Sequence, residues 1–252
     1  MKRTRLIVNA DDYGKDEAMT LAILEAFSKN YITQTTLMVN MPFAEEAVAL
    51  ARQKGFADRV GLHLNLTEGR PLTSDMAACP TFCGDSGLFK GVFPMTLDAF
   101  AERILKAEIR AQLEKFKSFG LPLLHCDGHH HAQVRRVIAR VLMPLLREYG
   151  FQTVRRPRNA YPNPLAPHFR SRLEQLLFIL RMRSNSLAAS SDVFDGWTPA
   201  SARIVKRGGR TVEIMVHPGF DPSGVLVDIV DFKNGRGRPL VGILSLRDEG
   251  PL

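Results

Sequence analysis

Four short stretches of this 252-residue chain hold acids and histidines, and each lies in or follows an apolar run. Asp11-Asp12 follow Leu6-Ile7-Val8, and His63 sits within Gly61-Leu62-His63-Leu64-Asn65. Asp127-Gly128-His129-His130-His131 follow Leu123-Leu124-His125-Cys126, and His217-Pro218-Gly219 follow the run from Val212 to Val216. One carboxylate and two imidazoles make a three-ligand catalytic metal site with a position left for water or substrate. An ion held that way lowers the pKa of its water and polarises a carbonyl oxygen. A second carboxylate can take the water proton and a further histidine can protonate a leaving amine, help typically worth about 100- to 10,000-fold. Each stretch alone has a plainer reading. Paired aspartates cap helices or make turns. A histidine inside an apolar strand is commonly a hydrogen-bonded structural residue, a histidine triplet can be solvated surface, and His-Pro-Gly is a turn. Their recurrence at four strand ends favours a site, because the C-termini of parallel strands collect on one face.

The elements that must position these groups alternate between strand and helix. Strand patterns cover Leu6 to Asn9, Ile32 to Val39, Val60 to Leu66, Leu123 to Cys126, Thr153 to Arg155 and Val212 to Val216. Helical spacing covers Ala18 to Phe27, the segment after Pro42, Leu97 to Phe119, Val134 to Tyr149 and Leu173 to Met182. This alternation predicts an α/β fold with a mostly parallel sheet and helical crossovers. Residues 70–97 hold Pro, Gly, Cys and Asp without periodicity and read as an insertion or lid. The tail after Gly219 carries no firm pattern. The basic, leucine-rich segment from His168 to Arg183 could lie on an anionic membrane, but it is expected to pack an apolar face on the sheet.

Composition narrows the function classes. The net charge is +8, concentrated in Arg155 to Arg158, His168 to Arg183 and Lys206 to Arg210. No aromatic ladder accompanies it, so nucleic acid is not the expected partner. The apolar run after the basic start is too short for a signal-peptide core, and no run is long enough for a membrane span. Three cysteines, an odd and sparse set, agree with a reducing compartment, so a cytoplasmic location is expected.

Asn9-Ala10-Asp11-Asp12-Tyr13-Gly14, Gly61 to Gly69, Asp127 to His131 and Glu213 to Gly219 resemble, in order, the signature blocks of the YdjC-like carbohydrate deacetylases. The resemblance implies a distorted (β/α) barrel related to polysaccharide deacetylases, with residues 1–252 forming one domain. It implies one divalent metal ion, Mg2+ or Zn2+, held by Asp12, His63 and His129. Asp11 becomes the general base and His217 the general acid. Arg155, His131 and Asn65 are the expected substrate contacts. The implied reaction removes an N-acetyl group from an amino sugar or short acetylated oligosaccharide. A lipid-linked, hopanoid-type sugar, or a non-catalytic sugar- or membrane-binding role, are the alternatives. The sequence does not fix the oligomeric state, a homodimer being one of the options. Two departures stand out: Gln133 where the family often has a further histidine, and a tail after Phe220 without the usual closing helix and strand.

Overall fold

Strands whose apolar runs are nearly continuous must be covered on both faces, and helical crossovers provide that cover. The computed structural model describes residues 4–160, 169–235 and 238–248. Its elements run β1 (Arg5–Tyr13), α1 (Glu17–Ser28), β2 (Gln34–Leu37), α2 (Ala44–Gln53), β3 (Val60–Leu64), α3 (Ser74–Ala77), α4 (Ala99–Ser118), β4 (His125–Gly128), α5 (Arg136–Glu148) and β5 (Thr153–Val154). There follow α6 (Phe169–Ser184), β6 (Ala188–Ala189), β7 (Val193–Gly196), α7 (Pro199–Arg207), β8 (Thr211–Val216), β9 (Pro218–Phe220), β10 (Leu226–Asp228), α8 (Ile229–Lys233) and α9 (Ser245–Asp248).

Eight strands form one sheet in the order β6-β5-β4-β3-β2-β1-β8-β7, and every pairing within it is parallel. The sheet curls into an open barrel with β6 and β7 at its two edges. The expected α/β barrel class is therefore observed, in a form that is not closed. A hairpin of β9 and β10 follows β8, packs its first strand near α1 and leads into α8. Beyond Phe220 the expectation of no closing pattern gives way to this hairpin and two short helices.

Local chemistry explains the element ends. Asp16 accepts a hydrogen bond from Met19 N at 2.8 Å and caps α1, and Asp98 caps α4 in the same way. Thr198 and Ser201 form a reciprocal capping box at α7, with Pro199 in its first turn. Strand β1 is buried from Ile7 to Tyr13, so Asp11 and Asp12 lie inside the sheet's end. The parallel register of β3 and β4 sets His63 directly beside Asp127.

The segment from 70 to 97 holds a small core of its own. Met76, Cys79, Phe82, Cys83 and Phe89 are buried in it. Glu108 of α4 anchors it by accepting from the backbone N–H groups of Leu72 and Thr73 at 3.0 and 2.9 Å. Phe82 and Phe89 are thereby buried inside the segment, whereas Phe93 lines a groove. No described helix is long and apolar enough to cross a membrane.

Candidate metal centre

Asp12, His63 and His129 converge as the sequence predicts. Asp12 Oδ1 lies 3.1 Å from His63 Nε2 and 2.8 Å from His129 Nδ1. All three side chains are almost wholly buried. Asp12 adopts φ +69°, and His130 and His131 adopt φ +49° and +55°, a left-handed region that non-glycine residues enter at a cost. These turns end β1 and follow β4, and they place Asp12 and His129 at one end of the sheet.

The outer nitrogen of each imidazole is held by a carboxylate. His63 Nδ1 lies 2.7 Å from Asp127 Oδ1, and His129 Nε2 lies 2.8 Å from Glu68 Oε2. A carboxylate accepts the N–H at those positions, so a neutral ring presents its lone pair on the inner nitrogen. Both inner nitrogens face the same oxygen of Asp12. Where a ring is protonated, its inner N–H donates to Asp12 instead, and a divalent cation would take the place of that proton. The donor set therefore fits a divalent ion, and the carboxylate–histidine arrangement is the one that orients metal ligands.

The charge of the surroundings agrees. Arg155 is fully buried, donates to Asp11 at 2.7 Å and Glu213 at 2.5 Å, and forms an ion pair with Asp127 at 2.7 Å. With Asp12, four buried carboxylates share the centre with one buried guanidinium. Burial opposes the ionisation of Asp11, yet the charge and hydrogen bonds of Arg155 hold its carboxyl well below the usual range. Burial also opposes the charge of Asp12, and hydrogen bonds from His129 and His63 prevail and keep it low. Burial alone would lower His63, but the Asp127 charge and bonds to Asp12 and Asp127 push it up to about 10. The centre thus attracts positive charge strongly.

The three expected substrate contacts separate. Arg155 has no exposed surface and every arm is engaged, so it anchors carboxylates rather than touching substrate, and its ring-face partner is Phe194 at 4.7 Å. Asn65 is likewise buried and structural. Its Oδ1 accepts from the N–H groups of Thr67 and Glu68 at 3.1 Å each, and its Nδ2 donates to Glu68 O at 2.7 Å. That clamp shapes the turn that carries Glu68 to His129. His131 is different. Burial first, then Arg155 and Arg158, lower its pKa to about 3, so the ring is neutral. Its Nε2 meets Arg158 Nε at 3.3 Å while its buried Nδ1 has no partner among the described residues. Gln133 is buried with both amide atoms unpartnered among the described residues.

His217 lies just beyond β8, and its backbone N–H donates to Asp228 Oδ2 at 3.2 Å. Its charge bears on both Asp11 and Asp228. Glu213, on the same strand, serves Arg155 and also accepts from Ser190. Glu68 and Asp127 stand behind the two imidazoles, and sequence reasoning quoted them without giving them a role. Glu68 also pairs with Lys15 at 2.8 Å. Asp127 had one available signal, its place immediately before Gly128-His129 at a strand end.

Fold and site together define an open parallel α/β barrel with a buried cluster of Asp12, His63 and His129 at one end of its strands. Residues 5–236 match the family described as YdjC-like protein, and the chain belongs to that family. A carbohydrate deacetylase of Clostridium beijerinckii is 41% identical over 146 residues, 58% of each chain. One from Geobacillus stearothermophilus is 39% identical over 159 residues, 63% of this chain and 62% of its own. One from Oceanobacillus iheyensis is 30% identical over 216 residues, 86% of each. The chain thus spans somewhat less than two thirds of the first two relatives. A solved Enterococcus faecalis protein assigned to cellobiose-phosphate cleavage shares the fold, with TM-score 0.66 and 24% identity over 88% of this chain and 84% of that one.

Proposed function

We propose that this chain is a metal-dependent hydrolase that removes the N-acetyl group of an amino sugar or short acetylated oligosaccharide. The observation that carries the reading is the meeting of Asp12, His63 and His129, each imidazole held from behind by a carboxylate. Relatives named carbohydrate deacetylase support the substrate class. Asp12, His63 and His129 would hold one Mg2+ or Zn2+ ion. When bound, such an ion supplies a water of lowered pKa and a Lewis acid for the acetyl carbonyl.

Asp11 stands beside the ligands, ionised and gripped by Arg155, with no freedom to swing away. It accepts the proton that water loses on adding to the acetyl carbon. His217 donates a proton to the sugar nitrogen as the C–N bond breaks, so acetate and a free amine leave. His131 offers its unpartnered Nδ1–H to a substrate oxygen. Acetate release from diacetylchitobiose tests this directly. Protein stripped with chelator should release none, and restored Mg2+ or Zn2+ should return the activity. Equal release with and without chelator would sink the metal-dependent reading.

A further inference from the structure

Helix α6 packs one apolar face on the body, but its leucines lie on the other. Phe178 and Met182 are buried against the body, while Leu173, Leu176, Leu177 and Leu180 are each 46–53% exposed. At about 100° per residue the four leucines fall on one stripe, and Phe178 and Met182 fall on the opposite face. The helix is therefore apolar on both sides, and only one side has a protein partner among the described residues. Val92 and Met95 add further exposed apolar surface. Met95, Phe93 and Leu177 line one groove of about 540 Å³, whose wall also includes His130 and His131. The His130 ring lies 4.0 Å from that of His129.

The border of this apolar surface is cationic. Arg181 and Arg183 flank the leucine stripe on its two sides, and Arg135, Arg136 and Arg181 line the groove together with one acid, Glu174. Among the described residues Arg135, Arg136, Arg181 and Arg183 form no ion pair. Burial and the nearness of Arg136 and Arg140 make the Arg181 charge harder to hold. A second copy of the chain on this face would oppose arginine to arginine across a two-fold axis. An anionic bilayer meets both features at once: the leucines enter the acyl boundary and the arginines reach the headgroups.

We propose that the exposed leucine face of α6, with its flanking arginines, docks this protein on an anionic membrane surface, with the groove that runs toward the metal centre opening beside it. Docking is independent of the chemistry above, so its failure leaves that reading untouched. The test is flotation with phosphatidylcholine vesicles, with and without phosphatidylglycerol, at physiological salt. The wild-type protein should float only with phosphatidylglycerol present. Leu176→Ser with Leu180→Ser should lower partitioning by about tenfold per leucine. Arg183→Glu, a change at an exposed position that leaves the fold intact, should lower it by at least about fivefold. Sedimentation of the same proteins reports the rival occupant. Absence of flotation, or equal flotation on neutral vesicles that Arg183→Glu leaves unchanged, overturns the proposal. So does a solution dimer that the leucine variant converts to monomer without any vesicle binding.

Discussion

Replacing Arg155 by Met separates a structural anchor from a substrate contact. In the wild-type protein its guanidinium is fully buried and pairs with Asp11, Asp127 and Glu213, whose side chains are 0–3% exposed. Removing one partner of a buried pair costs about 3–5 kcal/mol, because a charge is left without compensation. Here three carboxylates lose their cation, so the loss should reach at least that figure, a large share of the roughly 5–15 kcal/mol that holds a domain folded. The pH dependence should also invert. In the wild type, Asp11 has a depressed pKa, so its contribution is present above its unfolded value of 3.8 and is lost as pH falls. In the Arg155→Met variant burial dominates and raises the carboxyls, so stability should improve on acidification and fall as pH rises. Urea unfolding followed through Trp197, the single tryptophan, at several pH values measures both effects. Adding Glu213→Gln should recover part of the loss, with a coupling of about 0.5–3 kcal/mol. Wild-type stability with only a raised KM would refute this account and restore the guanidinium as a substrate contact.

Further outcomes follow from the same geometry. Asp11→Asn should keep metal content but lose about 100- to 10,000-fold in turnover, whereas Asp12→Asn should lose metal as well; metal analysis showing the reverse would exchange the two roles. Because His63 holds a proton up to about 10, metal must displace it, and affinity should rise with pH by about tenfold per unit for each proton displaced. Calorimetry in two buffers counts those protons, and a pH-independent affinity would contradict the displacement. Glu68→Gln should weaken metal binding by about 10- to 100-fold, since His129 loses its outer anchor; an unchanged dissociation constant would make Glu68 a mere partner of Lys15. His217→Ala should depress amide hydrolysis more than that of activated esters, whose leaving groups need no proton, and equal losses would count against an acid role.

The strand ends were legible because apolar runs stop where ionisable residues begin, and that boundary survives without any tertiary information. Asp12, His63 and His129 could be grouped on that ground and by family resemblance. The work of Arg155 could not. Its partners Asp11 and Glu213 lie 144 and 58 positions away, and a basic residue before Pro157 looks like many surface arginines. Asn65 entered as a substrate contact through the family resemblance, and its turn clamp on Thr67 and Glu68 depends on backbone geometry that spacing does not show. Strand β7 and helix α7 carry too few periodic apolar residues to stand out, and the capping residue at the third helical position is Ser201 rather than Glu or Gln. The leucines of α6 illustrate a deeper limit. Helical spacing identifies a face, but the same spacing serves a face turned inward or outward, and only the packing of Phe178 and Met182 decides which.

Backbone strain and charge converge on the same demand at the centre. Three of the five non-glycine residues at positive φ among the described residues are Asp12, His130 and His131, all at or next to the proposed ligands. A left-handed conformation costs roughly 1–2 kcal/mol for an ordinary side chain, and such strain persists where the surrounding structure over-determines it. Here the over-determination is visible: Asp127 and Glu68 fix the two imidazoles from outside, and Asn65 fixes the turn bearing Glu68. Those same anchors crowd acid groups at the centre, since Asp127 and Glu68 stand behind the two imidazoles that meet Asp12, and Arg155 supplies a single buried guanidinium. A sequence selected only for stability would relax the turns and replace some of the acids. Retaining both makes physical sense when a divalent cation, bound among Asp12, His63 and His129, balances the acids and offsets the strain.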